Sequence, residues 1–333
     1  MKFLVTGSAG FIGYHLSRRL LSEGHAVVGF DALTPYYDVR LKEARHDSLR
    51  AMPGFTPVIA RLEDSDALSA AFETARPEVV FHFAAQAGVR YSVDHPRDYL
   101  TSNLEGSFNV LETAARAGVD HLLIASTSSV YGASPDIPFT EAAPVGRPLS
   151  FYAATKVGME AMAHSHAGLH AMPTTAFRLF TVYGPWGRPD MALFRFCEAI
   201  LAGRAIDVYG EGRMTRDLTY VDDVVEALVQ LIPLAPAEAN RATDVADSLS
   251  PEAPFRTVNV GGGRPVSLDA LITAVERAVG QEARRNLLPL QAGDMRNTAA
   301  SPALLDALTG ATPATPLDQG VAAFVDWYRD RYG

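Results

Sequence analysis

Residues 2–13 read KFLVTGSAGFIG, an apolar run that breaks at three glycines and resumes with helical spacing. A short apolar run ending abruptly in glycine predicts a buried strand closed by a tight turn. The stretch FIGYHLSRRLLSEG (11–24) keeps apolar residues on one helical face and stops at Gly24. Strand, glycine turn and helix form the first unit of a parallel sheet. HAVVGF (25–30), FTPVIA (55–60), EVVFHFA (78–84) and HLLIAS (121–126) repeat the strand pattern, with helical patterns between them. The alternation predicts an α/β fold built on a doubly wound parallel sheet.

The rest of the chain is less regular. Segment 94–118 predicts one long helix, with Asp94 as its cap and Pro96 in its first turn. Beyond about residue 180 proline and glycine increase, and 233–256, rich in Pro, Ala and Asp, predicts a flexible surface connection. Two further helices are expected near 267–279 and 317–330. No internal repeat is present.

Composition narrows the function classes. The 333 residues are 48% hydrophobic and 20% charged, which suits a soluble globular protein. A net charge of −9 argues against a general affinity for nucleic acid or an anionic membrane. The single cysteine, Cys197, excludes an internal disulfide and reads as a core filler. The nine histidines show no metal-ligand spacing, so no metal is expected. No apolar stretch is long enough to span a bilayer, and the opening MKFLVTG reaches its glycine turn with no room for a signal peptide. A cytoplasmic enzyme or binding protein is the expectation.

Three local patterns carry chemistry. Gly7, Gly10 and Gly13 follow a strand and open a helix, a spacing that lets backbone N–H groups approach a pyrophosphate. Asp31 ends the second strand in VVGFD, where a carboxylate accepts hydrogen bonds from ribose hydroxyls and repels a 2′-phosphate. With no arginine directly after Asp31, NAD is favoured over NADP. Tyr152 and Lys156 lie four residues apart in SFYAATKVGMEAMAHSHAGLH (150–170), hence on one helical face. A nearby ammonium favours a phenolate and lowers a pKa that is ordinarily about 10. The hydroxyl-rich run STSSVYG (126–132) sits at the carboxyl end of a strand, where ligands bind in open α/β sheets.

Together these patterns resemble an extended short-chain dehydrogenase/reductase of the nucleotide-sugar-modifying group. The likeness continues through HFAAQAGVRYS, NLEGSFNVLE, RLFTVYGPWGRPDM, RDLTYVDDVVEAL and NVGGGRPVSL. It implies a Rossmann-type domain over 1–180 that holds NAD, with the chain returning to it near 216–232 and 256–260. Residues 181–333 then form mainly a smaller C-terminal α/β domain for the nucleotide sugar. By position the resemblance implies a catalytic Thr127, Tyr152 and Lys156. Around the dinucleotide it implies Gly7, Gly10, Phe11, Ile12 and Gly13, with Asp31, Leu62, Ala84 and Ala85, besides Tyr152 and Lys156. One departure is Arg61, in VIARLEDSDAL, at a position where the group usually has an adenine-reading Asp; Leu62 still offers its backbone.

Within the group, 4,6-dehydratases carry Asp and Glu directly after the catalytic Thr. Here Ser128 and Ser129 stand there, and hydroxyls are poor acid–base groups near neutral pH. Serines do donate to anions. Arg188 in GPWGRPDMA adds a guanidinium suited to a carboxylate, and Thr181 replaces the Asn of many UDP-glucose 4-epimerases. With PYYDVRLKEAR and AAQAGVRYS, the chain closely resembles the UDP-glucuronate 4-epimerases. That resemblance implies a Tyr152 phenolate taking the C4 hydroxyl proton, with Thr127 sharing the bond. C4 hydride passes to NAD and returns to the other face of the turned sugar, while Ser128, Ser129, Thr181 and Arg188 hold the carboxylate. It further implies a diphosphate contact at Arg216, base stacking on Tyr209, a ribose contact at Asp294 and another anion contact at Arg90. Asn103 reads equally as structural or catalytic. The helices 94–118 and 150–170 resemble those that form a four-helix dimer contact in this group, so a homodimer is expected. A UDP-glucose or UDP-N-acetylhexosamine 4-epimerase, a UDP-glucuronate decarboxylase, and a non-enzymatic NAD-sensing protein remain open.

Overall fold

The computed structural model describes residues 1–289 and 295–333. In its first half β1 (Lys2–Thr6), α1 (Phe11–Ser22), β2 (Ala26–Asp31), α2 (Val39–Arg50), β3 (Phe55–Ile59), α3 (Ser65–Ala75) and β4 (Val79–His82) alternate. Two single turns follow, α4 (Tyr91–Asp94) and α5 (Pro96–Tyr99), then a π-helical segment, Leu100–Glu105, that runs into α6 (Gly106–Ala117). Next come β5 (His121–Thr127), α7 (Phe151–His170), β6 (Thr174–Leu179) and β7 (Thr181–Tyr183). The second half holds α8 (Ala192–Leu201), β8 (Ile206–Tyr209), β9 (Thr215–Tyr220), α9 (Val221–Leu231), β10 (Phe255–Val260) and β11 (Pro265–Ser267). It ends with α10 (Leu268–Val279), β12 (Arg285–Leu288), α11 (Ala303–Thr309) and α12 (Leu317–Tyr332).

The central sheet is parallel throughout, in the order β10-β6-β5-β4-β1-β2-β3. This is a Rossmann-type order. The direction of winding reverses between β1 and β4, and ligands bind at the carboxyl ends of the strands at such a point. Both faces of the sheet are covered, which explains the near-continuous apolar strand runs. In β1, Phe3 and Val5 enter one core with α1 and α9, while Leu4 enters the other with α3, α6 and α7. The edge strand β3 is more exposed and tolerates Pro57, because no further strand needs its amide. A three-stranded sheet, β11-β9-β7, and a two-stranded one, β12-β8, belong to the second half. There Cys197 is fully buried in an apolar cluster that pushes its thiol up to about 12.

Two expectations are corrected. The long helix over 94–118 is not continuous. His95 (φ −127°) interrupts it because a residue preceding proline is pushed out of the α region, so Pro96 starts the helix and Asp94 belongs to the separate turn before it. Residues 233–256 are not a loose connection. Asp247 accepts from the amides of Ala242 and Leu249 and from both arms of the fully buried Arg256 at 3.0 Å. Arg256 also donates to the Leu234 and Asn240 carbonyls, so an ion pair pins the segment to the start of β10.

Candidate active site

The glycine turn closes on itself without room for side chains. A Cβ on Gly13 would lie 2.2 Å from the Gly7 carbonyl oxygen, and one on Gly10 2.9 Å from the same atom. Gly7 takes φ +75°, and the Ala84 amide would sit 2.8 Å from any Cβ there. The loop therefore packs against the residues that follow β4. Asp31 accepts from the Ala9 amide at 3.0 Å and from Leu33 N–H at 2.8 Å, which fixes the carboxylate at the rim. Gly7, Gly10, Phe11, Ile12 and Gly13 line a cleft of about 280 Å³, with Asp31, Leu62, Ala84 and Ala85 on its other walls. Thr127, Tyr152, Lys156 and Arg188 line the same cleft. A backbone-lined cradle with a fixed carboxylate at its far end suits a dinucleotide, so the residues present fit NAD.

The catalytic pair is placed by local chemistry. Ser150 caps α7 through its Oγ, which accepts from the Ala153 amide at 3.1 Å. That start puts Tyr152 in the first turn and Lys156 one turn on. Thr127 ends β5 and caps the short 3₁₀ turn Ser128–Tyr131, accepting from the Ser129 amide at 3.2 Å. A hydrogen bond from Thr127 reaches Tyr152. Burial raises the Tyr152 phenol above its ordinary value, while Thr127 and then the charge of Arg188 draw it down. Lys156 is buried too, and its ammonium donates to the Ala125 carbonyl at 2.8 Å. Burial lowers it to about 8 against the supporting charge of Glu160. Lys156 thus reaches the strand, and the charge of Arg188 favours the phenolate as well.

Asn103 is fully buried and holds three hydrogen bonds. Its amide donates to the Gln86 carbonyl and to Thr155 Oγ, both at 3.0 Å, and its oxygen accepts from the Gln86 amide at 2.7 Å. All three contacts tie the loop after β4 to α7. The π-helical segment turns Asn103 inward, a register change common at functional sites.

A second cleft, of about 980 Å³, meets the first at Phe11, Tyr36, Val182, Arg188 and Met191. Thr181, Arg90, Tyr209 and Arg216 all line it. Arg90 lies over the Tyr209 ring at 5.0 Å, on a surface where base stacking is expected. Arg216 donates to the Thr215 and Arg296 carbonyls. Arg188 is shared between the clefts, and its guanidinium is held by Asp190 through bonds of 3.0 and 2.5 Å. Tyr36 O–H also donates to Asp190, at 3.1 Å. Ser128 and Ser129 are half-buried beside Thr127 but are not among the residues lining either cleft. Asp294 lies outside the described residues.

Sequence reasoning missed three features. Glu63 lines the first cleft with a carboxylate that accepts from Arg61 at 3.0 Å, two residues after the expected adenine-reading position. Beneath the STSSVYG run, Glu160 accepts from Ser126 and from both arms of Arg178, whose other nitrogen donates to Tyr131 O–H. The third is the acid beside each cation, Glu160 one turn after Lys156 on α7 and Asp190 two residues after Arg188, close neighbours along the chain that the reading of the sequence passed over.

The fold and the glycine-turn cleft define a dinucleotide-dependent enzyme. The model of the NAD dependent epimerase/dehydratase family matches residues 3–245, and the chain belongs to that family. Among its relatives, a probable UDP-glucuronate 4-epimerase of Rhizobium meliloti (strain 1021) is 57% identical, covering 100% of this chain and 98% of that protein. UDP-glucuronate 4-epimerase 6 of Arabidopsis thaliana is 38% identical, covering 100% of this chain and 72% of that one. A crystal structure of UDP-glucuronic acid 4-epimerase from Bacillus cereus with UDP-glucuronic acid and NAD superimposes with a TM-score of 0.88, at 31% identity and 100% coverage of both chains.

Proposed function

We propose that this chain is a UDP-glucuronate 4-epimerase, an isomerase that interconverts UDP-glucuronate and UDP-galacturonate. NAD is its cofactor. The single observation that carries the reading is the position of Arg188. It lines both clefts, so a guanidinium stands where the dinucleotide cradle opens onto the larger nucleotide-sugar cleft. The relatives named for this activity support it.

The chain's own residues divide the work. Gly7, Gly10, Gly13 and Asp31 hold the dinucleotide, which supplies a reversible hydride acceptor for the sugar C4. Tyr152 accepts the C4 hydroxyl proton and returns it, with Thr127 sharing the hydrogen bond. Lys156, anchored on Ala125, keeps a positive charge beneath the site. Arg188 and Thr181 hold the sugar carboxylate against rotation toward the loss of carbon dioxide that a 4-keto uronic acid invites. Ser128 and Ser129, which line neither cleft, rank behind Arg188 for that carboxylate. Arg90, Tyr209 and Arg216 bind the nucleotide end, with Asp294 as a ribose contact. Glu63 takes the adenine-reading role that Arg61 vacates. This division places the dinucleotide mainly on residues 1–180 and the sugar nucleotide mainly on 181–333.

The active form is a homodimer in the cytoplasm, with α6 and α7 forming the contact. Phe108 and Leu169 on that face are 44% and 76% exposed. No helix among the described residues is long and apolar enough to cross a membrane.

Incubation with UDP-glucuronate followed by product analysis tests the reading. UDP-galacturonate is expected; a pentose product makes the chain a decarboxylase, and turnover of UDP-glucose alone makes it a hexose epimerase.

A further inference from the structure

On the side of α6 and α7 that the proposed dimer contact uses, away from both clefts, Glu112, His166 and His170 come together. One ligand atom from each lies within 4.8 Å of the others. His166 and His170 are one helical turn apart on α7, the spacing with which paired histidines present nitrogens to one ion. Glu112 comes from the neighbouring α6, and its carboxylate oxygen is 2.9 Å from His166 Nε2. The other His166 nitrogen, Nδ1, lies 3.1 Å from the Met162 carbonyl in the preceding turn of α7. A carbonyl there fixes Nδ1 as the donor and aims Nε2 at the cluster, as outer partners do for ligating histidines. Nε2 is thereby turned toward the Glu112 carboxylate and His170.

We infer that Glu112, His166 and His170 form a binding site for a divalent transition-metal cation of the zinc class. Two imidazoles and one carboxylate are a three-ligand set that leaves a fourth position to water. The walls fit the ion. Phe108 packs its edge toward His166 with ring centroids 6.0 Å apart, closing one side. The His166 and His170 rings are 5.6 Å apart and tilted by 36°, and His170 is exposed at the end of α7, able to swing inward. A bound ion would clip α6 to α7 without touching the catalytic cleft.

The test uses the untagged full chain with its dinucleotide, stripped of metal by chelator and titrated with cobalt(II) chloride and, separately, zinc chloride. Visible absorption of four-coordinate cobalt, together with saturable calorimetric uptake of one ion per chain, is the expected result. His170→Ala and Glu112→Gln should each weaken cobalt binding at least tenfold, since even outer partners of a metal site typically cost about 10–100-fold. His164→Ala should bind cobalt as the parent does. No saturable uptake, or equal uptake by His170→Ala, overturns the site and leaves only the ion pair. Because turnover is not the readout for binding, failure here leaves the epimerase reading untouched.

Discussion

Arg188 and Tyr152 line one cleft, and the Arg188 charge favours the Tyr152 phenolate. The Lys156 ammonium is spent on the Ala125 carbonyl, whereas Arg188 projects from the loop after β7 and is steadied by Asp190. One residue thus has two uses, as a clamp for the sugar acid and as a source of positive charge beside the base.

Removing that charge should therefore move the pH dependence and not only the affinity. In Arg188→Met the phenol loses a favourable neighbour, so the base limb of kcat should move alkaline and turnover at neutral pH should fall. Arg188→Lys should recover part of the shift. Profiles of kcat at saturating UDP-glucuronate decide it; a raised KM with an unmoved profile would confine Arg188 to binding.

Tyr152→Phe removes the proton acceptor and leaves the ring packed against Tyr99, whose centroid is 6.0 Å away. Turnover should fall by about 10³-fold or more, within the range of a lost acid–base group. Dinucleotide released on denaturation should stay at parent levels, because the glycine turn is intact. Parent-like turnover would remove Tyr152 from its role.

Gly13→Ala forces a methyl group to within 2.2 Å of the Gly7 carbonyl, and only backbone movement relieves that. The purified variant should carry no dinucleotide. Gly146→Ala, where a Cβ meets nothing within 4 Å, is the matched control and should carry the parent amount.

Lys156 should be expensive to keep. Its folded pKa, lowered by burial to about 8, lies below the ordinary 10.5, so the folded state sheds the proton first. Below about pH 8 both states are charged and the burial cost is fully present; between there and about pH 10.5 stability rises with pH. The shift corresponds to about 3 kcal/mol, less about 1 kcal/mol for the bond to Ala125. Lys156→Met, freed of dinucleotide, should be more stable by about 2 kcal/mol at neutral pH and nearly inactive. Denaturant melts across pH measure this; a less stable variant would contradict the assigned cost.

The features legible in the sequence are those whose chemistry depends on neighbours along the chain. The glycine turn, Asp31 at a strand end, and Tyr152 with Lys156 on one helix face are spacing rules, and the structure brings each to the same cleft. Arg178 on Glu160 and Glu112 beside His166 join residues from different elements, and no local period announces them. The four-residue interval between His166 and His170 was visible but has no meaning until Glu112 is beside it. Likewise the composition of 233–256 suggested looseness, because the Asp247–Arg256 pair is invisible until both are buried.

Strand β10 pairs with β6 at the rim of the seven-stranded sheet, from Phe255↔Thr174 to Val260↔Leu179. A truncated version ending near residue 180 would therefore leave the β6 backbone bare, an adhesive border that invites aggregation. Anyone dissecting the molecule into separately expressed pieces would do better to carry residues 255–260 along, by circular permutation or co-expression, than to cut at the apparent end of the dinucleotide half.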